Sequence, residues 1–268
     1  STYEDNKNFY DSIFLEKNLT DYNLSELCND SNNNLKLYDE SYYLKIRIFC
    51  SFLNNKIEEA DFYNTILSEE NNDEYFQFLY KKLNGFDIEV KNIQEYKYEK
   101  DSISLYSAIM RSINLPFTED FLQLESSQLL KAIAISPSTD IEVRIAAAQK
   151  AYINGSLDNE SLAAIYQSVN FAQDELQNPL KTIEDKYFNN PNKSVALLFQ
   201  SSRVQILPIS RLEALNHFWQ YAKKIGQSKL AYELSSDLLN SIEPTTELID
   251  FSIQTSKAHL HNGNIDKS

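Results

Sequence analysis

The chain has 268 residues, 42% of them hydrophobic and 12% aromatic, and carries a formal net charge of −14. That is enough apolar material for a substantial core, in one elongated domain or two compact ones, and it excludes a disordered polypeptide. The acidic balance, with five unclustered arginines, argues against nucleic acid and against an anionic membrane surface; no apolar run reaches the roughly 18 residues that membrane insertion requires.

Only 4 glycines and 6 prolines occur, too little turn chemistry for a sheet of many hairpins, so an all-α chain is expected. The sequence starts at Ser1, which reads as a processed or engineered boundary. Cys28 and Cys50 follow, separated by the asparagine-rich "NDSNNNLKLYDESYYLKIRIF". Spacing alone leaves two readings open, a disulfide in an oxidising compartment or two buried thiols in a reducing one.

From there the chain reads as successive helical hairpins. "SYYLKIRIFCSFLNN" and "KIEEADFYNTILSEE" form the first, turning near Asn55, with Tyr42, Ile46 and Phe49 on the packing face. "DEYFQFLYKKLNG" turns at Gly85, and "DSISLYSAIMRSINL" with "PFTEDFLQLESSQLLKAIAI" turns near Phe117. In "DIEVRIAAAQKAYING", Ile141, Ile145, Ala148 and Tyr152 recur at helical spacing after Asp140 as N-cap, and Asn154-Gly155 ends the run. "LDNESLAAIYQSV" follows, with Asp158 as cap and Leu162, Ile165, Tyr166 and Val169 on one face. Further turns fall near Asn190, at Gly226 between the helices "SRLEALNHFWQYAKKIG" and "QSKLAYELSSDLLN", and near Gly263.

Turns near 55, 85, 117, 155, 190, 226 and 263 are spaced close to the period of about 34 residues of tetratricopeptide-type hairpins. The expectation is a single elongated domain over 1–268, a right-handed α-α superhelix built as a degenerate tetratricopeptide-like solenoid, since the Trp, Leu-Gly and Pro consensus residues are missing. "NIDKS" then reads as the start of a second helix in a truncated last repeat, with the native protein continuing beyond residue 268.

No stretch reads as a chemical centre. His259 and His261, two apart, point about 200° away from each other on a helix and cannot share a metal; they suit the negative end of the helix dipole. Ser210 and His217 are two turns apart, and no GxSxG elbow exists. The carboxylates of "KIEEAD" and "SEENNDEY" sit at helix termini and read as solvated caps; neither these nor "NDSNNN" has calcium-loop spacing. Four isolated glycines exclude a phosphate-binding loop. The expected protein is not an enzyme and needs no cofactor or metal.

At "YYLKIRIFCSF", "LYSAIMRSINLPFT" and "AAAQKAYINGSLDNESLAAIY" the chain resembles a group of uncharacterised alphaproteobacterial helical-repeat proteins, several of them exported, over residues 35–170. The resemblance implies a Cys28–Cys50 disulfide and a periplasmic or exported location, with the cytoplasm as alternative; it implies no catalytic residue. The expected function is a scaffold that binds an unknown protein or peptide. Two alternatives stand beside it: the superhelical part of a larger cell-envelope enzyme, and self-association through terminal repeats.

Overall fold

The computed structural model describes residues 13–30, 40–70, 73–124, 126–264 and 266. Every regular element among them is helical, so the fold is all-α. Where one elongated domain is expected, the backbone clusters into two compact units, Ser1–Ala147 and Ala148–Ser268, with the boundary inside one helix.

Unit 1 contains α1 (13–21), α2 (Leu24–Asp30), α3 (Glu40–Leu53), α4 (Ile57–Glu70), α5 (Glu74–Leu83), α6 (Ile103–Ser112) and α7 (Ser127–Ile135). The α3–α4 hairpin buries Tyr42, Ile46 and Phe49, the face expected from periodicity. The core gathers around Tyr75, whose ring lies 5.2–6.1 Å from those of Phe78, Tyr96, Tyr106 and Phe121. Arg111 fastens α1 to α6: its guanidinium donates to the carbonyls of Leu19 (2.5 Å) and Thr20 (2.9 Å) and lies 4.9 Å from the Tyr22 ring.

Helix α8 (Ile141–Ile153) carries the boundary. Unit 2 continues with α9 (Asn159–Gln167), α10 (Gln173–Gln177), α11 (Pro179–Thr182), α12 (Pro191–Val204), α13 (Pro208–Lys224), α14 (Ser228–Leu234), α15 (Ser236–Asn240) and α16 (Ser252–His261). Its core sets the Tyr166 ring edge-on to Phe199 and the Phe199 ring tilted against Phe218, with centroids 5.6 and 5.9 Å apart. The caps Asp140 and Asp158 accept from the amides of Glu142 and Ser161 at 2.8 and 2.7 Å, as their positions predict.

One device ends seven helices. Tyr22, Asn55, Gly85, Asn114, Gly155, Gly226 and Gly263 all have φ between 53° and 79°, and in each case the following amide bonds back to the carbonyl five residues earlier. These are Schellman caps, which satisfy carbonyls that the helix leaves open. A Cβ added at Gly155 would meet nothing within 4 Å, so the cost of a side chain there is backbone strain alone. Gly155→Ala is expected to destabilise by about 1 kcal/mol in urea titration.

The expected turns differ from these in two places. Near Phe117 the left-handed residue is Asn114; Phe117 itself is buried, and "PFTEDFLQLESSQLLKAIAI" forms a 3-10 turn (Glu119–Gln123) and then α7 rather than one helix. Pro116 lacks the amide that a helix interior would need. Near Asn190 there is no left-handed cap: a π-helical turn (Ile183–Tyr187) runs into Asn190, which N-caps α12 by accepting from the Lys193 amide at 3.0 Å. Gly85 ends α5, but residues 86–92 form no helix. In "NIDKS", Ile265, Lys267 and Ser268 lie outside the described residues.

Candidate functional site

The most unusual surface in unit 2 grows out of the connection between α12 and α13. Pro208 opens α13 at its first position, where a missing amide costs nothing. Arg211 then pins the connection from within α13, donating to the Gln205 carbonyl through Nε (3.0 Å) and Nη2 (2.9 Å) and to Ser241 Oγ through Nη1 (3.2 Å). With the backbone held this way, the run "VQILPI" turns its apolar side chains to solvent. Ile206 is 85% exposed and Leu207 63%, and Val204 and Ile209 are exposed too. Large aliphatic side chains exposed in succession mark a contact surface more often than scattered ones do.

Gln205, within this run, lines a cleft of about 430 Å³. Exposed Leu180 and Lys181 on α11 form its other side, and Gln177, Asn178, Gln205 and Ser201 supply polar groups. Ser201 is fixed by donating to the Leu176 carbonyl at 2.7 Å. Ser210, Glu213 and His217 line the same cleft from one face of α13. The Ser210–His217 pair of the sequence thus shares a cleft, but seven helical residues separate the two by roughly 10 Å along the axis. That is beyond hydrogen-bond reach, so the arrangement makes no nucleophile and base.

Charge singles out this region as well. Residues 179–211 contain five basic and two acidic side chains, in a chain whose net charge is −14. Lys181 and Arg203 are exposed there.

Unit 1 holds an ionic cluster that the sequence reading missed. Lys45 is fully buried on the apolar face of α3. Its ammonium pairs with Asp73 and with Glu99 (2.5 Å), donates to Ser102 Oγ (3.2 Å) and lies 5.8 Å from the Phe76 ring. Asp73 accepts from the Phe76 amide (3.0 Å) and the Tyr106 hydroxyl (2.5 Å), and Tyr106 accepts from the Glu99 amide (3.1 Å). Burial, followed by the Asp73 charge, pushes the Tyr106 phenol far above its ordinary range, so it stays a neutral donor. Asp73 belongs to "SEENNDEY", and the expectation of a solvated cap is corrected here: it does cap α5, but from a buried position as the partner of Lys45. A lysine between Leu44 and Ile46 in an otherwise apolar stripe was the available signal.

In "KIEEAD" the carboxylates serve the surface and α5. Glu59 faces Arg47 (3.5 Å) and Lys56 (3.6 Å). Asp61 accepts from the Tyr80 hydroxyl, which burial and this bond push up to about 12. His259 is buried while His261 stacks on Tyr232 with ring centroids 4.9 Å apart, so the two point into different surroundings as a helix requires. No group of three or more metal-ligating side chains converges among the described residues, and no helix there is long and apolar enough to cross a membrane. Cys28 and Cys50 form a disulfide joining α2 to α3, with Cα atoms 5.3 Å apart. No family model, curated protein or solved structure matches this chain.

Proposed function

We propose that the protein is a non-catalytic binding module of the tetratricopeptide-like helical-hairpin kind, and that it takes an extended peptide segment of a partner protein in the unit 2 cleft. The observation that carries this reading is the exposed run Val204, Ile206, Leu207 and Ile209, interrupted by Gln205, which itself lines a cleft containing Gln, Asn and Ser side chains. Apolar side chains of a peptide would contact this run, while its backbone amides and carbonyls bond to Gln177, Asn178 and Gln205. Lys181 and Glu213 give the cleft one charge of each sign, so the segment it fits carries both a carboxylate and a basic group beside its apolar residues. The repeated Schellman caps support the hairpin-repeat architecture. The Cys28–Cys50 bond supports an oxidising, exported setting.

The test is selection of linear peptides from a displayed library, followed by calorimetric titration of the winners. Ile206→Asp/Leu207→Asp is expected to weaken binding at least tenfold, about 1.4 kcal/mol, without moving the unfolding midpoint. Equal affinity in the variant, or a wild-type dimer that this variant dissolves in a light-scattering concentration series, would remove the peptide reading.

A further inference from the structure

A second cleft, of about 660 Å³, opens in unit 1. Its size is that of small-molecule sites, and its lining mixes polar and apolar groups. Glu16 on α1 faces Asp101, in the 3-10 turn Lys100–Ser102, and Ser104, in the first turn of α6, while Gln94 and Gln123 come from the 3-10 turns Ile93–Glu95 and Glu119–Gln123 and Tyr98 from the chain between elements. These groups are fixed to one another. The Tyr42 hydroxyl donates to Glu16 Oε1 at 3.2 Å, and Ser104 also bonds this carboxyl. Gln94 Nε2 donates to Gln123 Oε1 at 3.1 Å.

Three features narrow the ligand. First, the two amides and the Ser104 hydroxyl combine donors and acceptors at short spacing, and the Gln94–Gln123 bond uses only one donor of the first amide and one acceptor position of the second. Second, the half-exposed Tyr98 ring, together with Ile103 and Leu124, gives the wall a small apolar area. Third, the charge at the rim is mixed, because Lys100 stands next to Asp101. Burial pushes the Glu16 carboxyl up against the hydrogen bonds from Ser104 and Tyr42, and the Asp101 charge adds to the rise.

A ligand that is itself a row of donor-acceptor groups with one C–H face matches such a lining. We propose that the unit 1 cleft binds a neutral polyhydroxylated ligand, a mono- or disaccharide, with Gln94, Gln123, Ser104 and Glu16 bonding its hydroxyls and the Tyr98 ring against its C–H face. This site lies wholly in unit 1 and does not depend on the peptide reading of unit 2.

The experiment is saturation-transfer NMR on the full chain with glucose, N-acetylglucosamine and cellobiose at millimolar concentration, and spermidine as a cationic control. At least one saccharide is expected to take up saturation and spermidine none. Gln94→Ala/Gln123→Ala, at exposed positions, is expected to weaken binding roughly tenfold, as loss of one or two hydrogen bonds does. Tyr98→Ala is expected to weaken it while Tyr98→Phe, which keeps the ring, does not; unchanged circular-dichroism melting of each variant separates loss of the site from loss of the fold. No transfer to any saccharide, equal transfer in the glutamine variant, or a preference for spermidine would overturn the proposal.

Discussion

Lys45→Met is expected to destabilise the protein by about 3–5 kcal/mol, a large fraction of the 5–15 kcal/mol typical of a folded domain. The size follows from what is left behind rather than from what the lysine contributes. Methionine fits the aliphatic part of the site, but the Asp73 side chain, 2% exposed, then loses the buried cation it pairs with. Glu99 is 36% exposed and can turn to water, so most of the loss falls on Asp73. Lys45→Met/Asp73→Asn is expected to recover part of it, since a neutral asparagine removes the buried charge, can still accept from the Phe76 amide through Oδ1, and can donate through Nδ2 to the Tyr106 hydroxyl oxygen. Urea unfolding followed by far-ultraviolet circular dichroism measures both. A single-variant loss under about 1 kcal/mol would mean that the cluster is solvated in solution and not the buried ion pair described.

Cys28→Ser/Cys50→Ser, or reduction of the wild type, is expected to cost about 3 kcal/mol, because the bond closes a loop between residues 22 apart and removes conformations from the unfolded chain. Locally, α2 should suffer first. It is a 7-residue helix, too short to persist alone, and its buried anchor is Leu27. Hydrogen exchange over Leu24–Asp30 should therefore accelerate on reduction while α3 keeps its protection. The intact mass of protein from its native compartment should rise by two hydrogens only after reduction. Two alkylatable thiols before reduction would withdraw both the stabilisation and the support for an exported setting.

The sequence alone was enough to establish helicity and many helix ends, because these depend on residues within one or two turns of each other. Few glycines, apolar residues at steps of three and four, and Asp140, Asp158, Gly85, Gly155, Gly226 and Gly263 at the ends carry that information locally. Where a distant group takes part, local reading fails. "QSKLAYELSSDLLN" reads as one helix, yet it breaks at Ser235, whose hydroxyl accepts from the Trp219 indole at 2.8 Å.

The same distinction governs the candidate sites. Lys45 looks like any helical lysine until Asp73 and Glu99, 28 and 54 residues away, are brought around its ammonium. The outward turn of "VQILPI" depends on the packing of α12 against α13, with Arg211 holding the loop backbone. The unit 1 cleft gathers Glu16, Asp101 and Gln123 from three distant stretches. Backbone hydrogen bonds reaching four or five residues determined the helices and their caps from sequence, whereas burial and side-chain pairing across many tens of residues were decided only when those helices packed.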